Sequence, residues 1–349
     1  MSVKNYQIRL KVLSPLHIGS GEHLNPLNYI VKNNHLYYLN EGQYIKKLLN
    51  TPDSRLKEVV DTADIYNIVN YYYNQFDEND TQLYKHSYPV DPEFQSAFLN
   101  NLRSKDNQNL LLEFYRSELF SEPVIPGSSL KGCFRTILLS AMQTHLNTGI
   151  YQKRRGNRFV NDAQLTEASV MSMRINYEKF DVKSDPFKYF KVSDIHAGTD
   201  SLTVQKIENK TTGRTSAIPY FAEVIKSSDQ VYTGTLSINS EMTRYFDRSL
   251  NLNINNIANY LVQSAKVFYY NIIQKDILKL KSINSLNGLR SALVNYDSLK
   301  DTPNKAVFRL GKGQGCHSLS LRMSNLNPKS RNLAQNQTLG WVEIEFVDM

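Results

Sequence analysis

Four short segments of this 349-residue chain carry residue types and spacings suited to holding an anion. The strongest is IPGSSLKGCFRT, Ile125 to Thr136. A Pro-Gly turn that delivers a helix start leaves backbone N–H groups unpaired at the positive end of the helix dipole. Ser128 and Ser129 add hydroxyls, while Lys131 and Arg135, four apart, fall one turn apart on the same flank. Together with Gly127 they make either a compact phosphate clamp or a capped core helix whose cations are simply solvated. The second segment is GKGQG, Gly311 to Gly315. Alternate glycines (Gly311, Gly313, Gly315) let a backbone approach a ligand closely, and successive N–H groups can form an anion nest with Lys312 supplying charge. A plain turn has the same composition. The spacing matches neither the G-x-x-x-x-G-K-[ST] phosphate loop nor the G-x-G-x-x-G dinucleotide fingerprint.

The third segment, SPLHIGSG, spans Ser14 to Gly21. Histidine as a residue type titrates near neutrality, so His17 can act as a general base toward a 2′-hydroxyl, contact phosphate, or pack. No second histidine, tyrosine or lysine is fixed beside it by the sequence, so no catalytic pair is visible. The fourth, KRRGNR, sets Lys153, Arg154, Arg155 and Arg158 around a glycine. It reads as a solvated loop, either holding a nucleic-acid backbone electrostatically or carrying ordinary surface charge. The seven histidines are dispersed and form no metal-ligand spacing with Cys or Asp, and no G-x-S-x-G elbow is present.

These segments need elements to position them. Ile8, Leu10 and Val12 alternate with Gln7, Arg9 and Lys11, which predicts a strand over Tyr6 to Leu13. Strands at 29–32 and 35–39 face each other across Asn33 and Asn34, residues that tolerate the left-handed conformation of a tight turn. Ile65, Ile68, Val69, Tyr72 and Phe76 recur at helical spacing, and the Tyr71, Tyr72, Tyr73 run is read as helix packing rather than a base-stacking platform. Asp91 caps a further helix with Pro92 at its first position. Residues from about 41 to 120 thus read as a helical insertion in a β-containing domain. In the central segment Ser128 or Ser129 is the expected cap of a helix facing inward through Leu130, Phe134, Ile137, Leu138 and Ala141. The second half begins near residue 185. It predicts strands at 202–208, 216–224 and 230–238, a long helix marked by Ile257, Leu261, Ala265, Phe268 and Ile272, the strand KAVFRLG, and the alternating strand WVEIEF. The expected fold is α+β, with two ferredoxin-like (RRM-like) domains at 1–184 and 185–349 and the insertion in the first.

Composition bounds the function. Hydrophobic residues at 41% and charged residues at 21% suit a globular protein. No apolar run approaches the roughly 20 residues needed to span a bilayer. The N-terminal MSVKNYQIRLKV alternates instead of running apolar, so a cytoplasmic protein is expected. Cys133 and Cys316, far apart, are expected as reduced thiols rather than a disulfide. A net charge of +8 and a sequence pI ≈ 9.2 favour an acidic partner, nucleic acid first.

Taken in order, SPLHIGSG after the first strand, IPGSSLKGCFRT near the middle and RLGKGQG late in the chain resemble the RAMP superfamily of CRISPR proteins. DPFKYFKVSD and the chain length are similar to the large RAMP subunit that caps the crRNA 3′ side of the type III-A Csm complex. The resemblance runs from residue 6 to the end, with no motif matched within 41–120. It implies two ferredoxin-like domains and binding of the crRNA backbone, with target RNA as a further contact. It also implies docking onto other Csm subunits, chiefly the repeated RAMP backbone subunit, and a part in crRNA maturation with host nucleases. Cleavage by this chain and a cofactor are not implied. The RNA-binding residues carried over are His17, Gly19, Gly127, Ser128, Ser129, Lys131, Arg135, Gly311, Lys312, Gly313 and Gly315, beside the basic Lys153, Arg154, Arg155 and Arg158. Cys133 followed by Phe134 departs mildly from the small residue usual after the central KG, and GKGQG is shorter than the full superfamily glycine signature. Alternatives from other classes are a metal-independent CRISPR endoribonuclease using His17 and a scaffold that contacts only proteins. A metal-dependent target-cutting backbone subunit would need an aspartate between the first strand and the hairpin, and none stands there.

Overall fold

The computed structural model describes residues 2–52, 55–102, 111–117, 121–176, 179–211, 217–246, 250–280, 293, 295–296, 298–302, 304–314, 321 and 330–349. Gly315 and Cys316 lie outside these described residues. Among them, no helix is long and apolar enough to cross a membrane.

The alternation around Ile8, Leu10 and Val12 produces the strand Val3–Val12, with those three side chains fully buried. It is the central member of an antiparallel five-stranded sheet, ordered 190–192, 231–239, 3–12, 341–348, 305–309. Ile8 stands opposite Gly234 on one side and Phe346 on the other. The helices Gly127–Leu146 and Ile257–Leu280 pack on this sheet. The Phe134 ring meets Phe308 at 5.9 Å and Phe346 at 5.5 Å, and Tyr269 meets Phe308 at 6.2 Å.

A six-stranded sheet follows the order 337–338, 330–334, 202–211, 217–225, 111–114, 19–24. Side chains alternate across it. Ile207, Ala222, Val224, Ala334 and Leu339 form a small core on one face, while Phe221 on the other meets Phe94 at 4.8 Å. A three-stranded sheet of Tyr29–Lys32, His35–Leu39 and Tyr84–Pro89 completes the framework. Asn33 (φ 50) and Asn34 (φ 57) make its hairpin turn in the left-handed region, as the sequence predicts. Tyr71, Tyr72 and Tyr73 pack against a core of Tyr37, Leu39, Tyr44 and Phe76, and Tyr72 meets Tyr44 edge-on at 5.2 Å.

The mixed α+β class is as expected, with three differences of detail. Both large sheets draw strands from either side of residue 184, because strand pairing follows tertiary burial and not chain order. The 41–120 segment contains the helices Glu41–Asn50, Leu56–Asp61, Ile65–Gln75 and Pro92–Asn101, but it also contributes the strands Tyr84–Pro89 and Leu111–Phe114. Finally, KRRGNR is not a loop. Gln152–Arg155 and Arg158–Asn161 pair as a hairpin, with Gly156 (φ 58) in its turn.

Candidate nucleic-acid interface

The strand Lys305–Arg309 runs through the apolar Ala306, Val307 and Phe308 to Arg309, which is 1% exposed. Its guanidinium donates to the carbonyls of Leu339 at 3.1 Å, Gln314 at 3.1 Å and Gly313 at 2.9 Å, and lies 5.0 Å from the Trp341 ring centroid. Burial pushes its pKa down to about 10, yet its pairing with three carbonyls keeps the glycine loop anchored from beneath. Gly311 (φ 70) and Gly313 (φ 92) are both left-handed. A Cβ on Gly311 would stand 2.2 Å from the His17 carbonyl oxygen, so only glycine permits this approach. The Lys312 N–H donates to that same oxygen at 2.9 Å. The glycine loop and the SPLHIGSG segment therefore touch directly, although 293 residues separate His17 from Gly311. The contact also corrects part of the nest: the Lys312 N–H is already used. Its ammonium sits 4.9 Å from the Tyr220 ring centroid.

His17 is buried, and its Nδ1 lies 2.7 Å from the Glu223 carbonyl oxygen. A carbonyl can only accept, so Nδ1 carries the hydrogen and Nε2 presents a lone pair. Burial lowers the pKa of this ring, the bond to Glu223 opposes that, and nearby Lys312 lowers it further. His17 is thus a neutral acceptor and not a phosphate-binding cation. Beneath it the fully buried Glu223 carboxylate accepts from the Phe114 N–H at 2.7 Å, from Arg116 Nη2 at 2.6 Å and from the Tyr88 hydroxyl. His86 stacks on Tyr38 with centroids 4.8 Å apart. Its buried Nε2 has no partner, and burial, then Arg116 and Lys85, push its pKa down to about 3.

At the helix Gly127–Leu146 the expected serine cap is corrected. Pro126 is the N-cap residue, with no side-chain cap, and Asp194 Oδ1 accepts from the Gly127 N–H at 2.7 Å. The positive end of the dipole already faces a carboxylate. A Cβ on Gly127 would lie 2.2 Å from the Val192 carbonyl oxygen, so this glycine serves the seating of the helix. Ser128 is exposed and Ser129 half-buried. Arg135 is not available as half of a clamp. Its Nη1 donates to Asp185 Oδ1 at 2.9 Å and Oδ2 at 2.8 Å, its Nε to Glu167, and its guanidinium covers Phe187 at 4.9 Å. Lys131 keeps its place on the helix flank, its pKa lowered by burial with Asp185 opposing. Cys133, four residues beyond Ser129, places its sulfur 3.3 Å from the Tyr269 hydroxyl and 3.7 Å from the Arg309 carbonyl oxygen. Burial pushes its thiol up to about 12. The first turns of this helix thus run beside the base of the glycine loop.

In the hairpin, Lys153 pairs with Asp162, which caps the helix Ala163–Val170 by accepting from the Leu165 N–H at 3.0 Å. Arg154 Nε donates to the Gly156 carbonyl at 3.0 Å, Arg155 and Arg158 are exposed, and Phe159 is 70% exposed between them and the strand end.

Sequence reasoning missed Arg309, Glu223 and Asp194. For two of them a signal exists: Arg309 ends the apolar run AVF, and Glu223 is the lone carboxylate in AIPYFAEVI. A single charge inside an apolar strand marks a buried, partnered group.

Comparison with known proteins adds the family. The RAMP superfamily pattern matches residues 9–280. Csm5 of the CRISPR system from Streptococcus thermophilus is 29% identical over 141 residues, covering 39% of this chain and 38% of the relative. Csm5 from Enterococcus italicus is 29% identical over 160 residues, covering 41% and 45%. The chain thus matches less than half the length of either relative. Two solved structures share the fold. A chain in the cryo-EM structure of the Csm-crRNA-target RNA ternary complex of a type III-A CRISPR-Cas system superposes with TM-score 0.73 at 20% identity, covering 97% of this chain and 100% of that one. The crystal structure of T. onnurineus Csm5 gives 0.68 at 22% identity, covering 96% and 99%.

Proposed function

The chain belongs to the RAMP superfamily, and from that membership we propose that it is a non-catalytic crRNA-binding subunit of a type III-A CRISPR (Csm) effector complex. In this reading it caps the crRNA 3′ side and supports guide maturation and complex assembly in antiviral defence. Its partners are crRNA, target RNA, the repeated RAMP backbone subunit and other Csm subunits, and host nucleases. The five- and six-stranded sheets are read as the two ferredoxin-like units, interleaved along the chain.

One observation carries the reading: segments from opposite ends of the chain, His17 and the glycine loop, meet by a backbone hydrogen bond of 2.9 Å with Lys312 at the junction. The helix bearing Ser128, Ser129 and Lys131 reaches the same neighbourhood through Cys133 and Arg309. In this reading Lys312, Lys131, the serines, Gly19, Gly313 and the exposed Arg154, Arg155 and Arg158 face RNA. Gly127 and Gly311 act through close backbone approach, and Arg135 and Lys153 act by bracing the elements around them. The neutral, buried His17 supports binding over cleavage, since burial and Lys312 both disfavour the imidazolium that a proton-relay step needs.

The test is RNA binding by Lys131→Ala with Lys312→Ala. Affinity falls across sequences, and the salt dependence flattens by about 0.7 in log–log slope for each lost phosphate contact. Unchanged affinity and slope would reject the interface. Site-specific cleavage of repeat RNA in EDTA, lost in His17→Ala, would establish the endoribonuclease instead.

A further inference from the structure

The strand Gly19–Leu24 is the exposed edge of the six-stranded sheet, and its register against Leu111–Phe114 shifts between Gly19 and His23. Gly19, Ser20 and Gly21 are exposed there. The three nearest atoms from other residues to the space a side chain at Gly19 would fill, its chain neighbours aside, are polar. A Cβ would lie 3.1 Å from His17 Nε2, 3.8 Å from the Glu113 carbonyl oxygen and 3.8 Å from the Gly21 nitrogen. The hydrogen on His17 Nδ1 is committed to Glu223, so Nε2 is an acceptor, the Glu113 oxygen is a second, and Gly21 N–H is a donor. Ser20 shapes this corner: its hydroxyl donates to Glu113 Oε2 at 3.0 Å and accepts from the Glu22 N–H at 3.1 Å.

The His17 acceptor, 3.1 Å from the Cβ position, fits a hydroxyl that donates, while the Glu113 and Gly21 backbone atoms at 3.8 Å wall the gap by van der Waals contact. A phosphate oxygen would meet the lone pair of His17 Nε2, and a deoxyribose carbon would offer that acceptor no hydrogen bond. We propose that this niche receives a ribose 2′-hydroxyl, which donates to His17 Nε2, and so selects RNA over its analogues. The inference rests on the RNA-binding reading above. It makes His17 and Gly19 specificity-determining residues: His17 supplies the acceptor and Gly19 the room. Lys312, hydrogen-bonded through its N–H to His17, stands ready for the neighbouring phosphate.

The experiment measures binding of the full chain to one sequence made as RNA, as uniformly 2′-fluoro RNA and as DNA. Fluorine keeps the sugar pucker and cannot donate. The wild type prefers RNA to 2′-fluoro RNA by about five- to tenfold, the worth of one hydrogen bond. In Gly19→Ala the methyl fills the gap, and the ratio of RNA to 2′-fluoro RNA affinity falls to about one. If thermal melting shows Gly19→Ala to be unfolded, His17→Phe takes its place and loses the same preference. Equal wild-type affinity for RNA and 2′-fluoro RNA overturns the inference and leaves the RNA-binding reading standing. A preference that persists in the variant also overturns it. Binding to none of the three overturns both.

Discussion

Arg309 and Arg154 carry the same charge, yet one is sealed beneath Trp341 with three carbonyls to serve and the other stands in solvent. The region under His17 is dry: Glu223, Arg116, Tyr88 and Arg309 have exchanged water for fixed partners. The hairpin 152–161 is wet, and its exposed guanidiniums have little to hold within the protein. Buried charge of the first kind specifies the shape of an interface, whereas exposed charge of the second kind is left for a ligand. Substitutions should therefore separate cleanly: stability changes below His17, affinity changes on the hairpin.

The largest effect is expected for Arg309→Ala. Three loop carbonyls lose their donor and Trp341 its cation, so urea denaturation should report a loss of about 3–5 kcal/mol. A loss under about 1 kcal/mol would erase the contrast. Next comes the pH dependence set by His86. Its folded pKa of about 3 lies below the ordinary 6.5, so the fold favours the neutral ring. That stability is fully present above the unfolded value and drains away as pH falls from about 6.5 toward 3. Between pH 7 and pH 5 the wild type should lose about 2 kcal/mol through this group, and His86→Phe should flatten the curve. Arg135→Ala sharpens the comparison from the helix side. Losing the ion pairs with Asp185 and Glu167 and the Phe187 contact should cost about 1–2 kcal/mol, with RNA affinity moved less than twofold by the folded variant. The smallest change in stability, under about 0.5 kcal/mol, belongs to the triple replacement Arg154→Ala, Arg155→Ala, Arg158→Ala. That variant should nonetheless lower RNA affinity and reduce the salt slope by up to about 2.

Much of the local structure was legible because its causes are local. Asn33 and Asn34 dictate their turn, and Asp91 with Pro92 starts a helix where the Asp91 side chain accepts from the Glu93 N–H. Val342 and Ile344 alternate into the strand Trp341–Asp348. What stayed hidden was partnership across the chain. Nothing near Arg135 announces that Glu167 and Asp185, 32 and 50 residues on, will neutralise it. Asp194 reaches the start of a helix 67 residues earlier and takes the role expected of a serine. KRRGNR has the composition of a loop, and only its pairing of Arg154 with Phe159 and Arg155 with Arg158 makes it a hairpin. The approach of His17 to Gly311 could be anticipated only as a shared family pattern, since no periodicity links residues so distant.

The position of Val3–Val12 between Val231–Asn239 and Trp341–Asp348 has a consequence for biosynthesis. This strand leaves the ribosome before either partner, and its two ladders wait until residues 231–239 and then 341–348 have followed. At about 5–20 residues per second that interval lasts tens of seconds, with Ile8, Leu10 and Val12 lacking their native cover. An apolar strand open on two edges for so long is a template for aggregation, so chaperone supply during translation should govern the yield of this protein more than its final stability does.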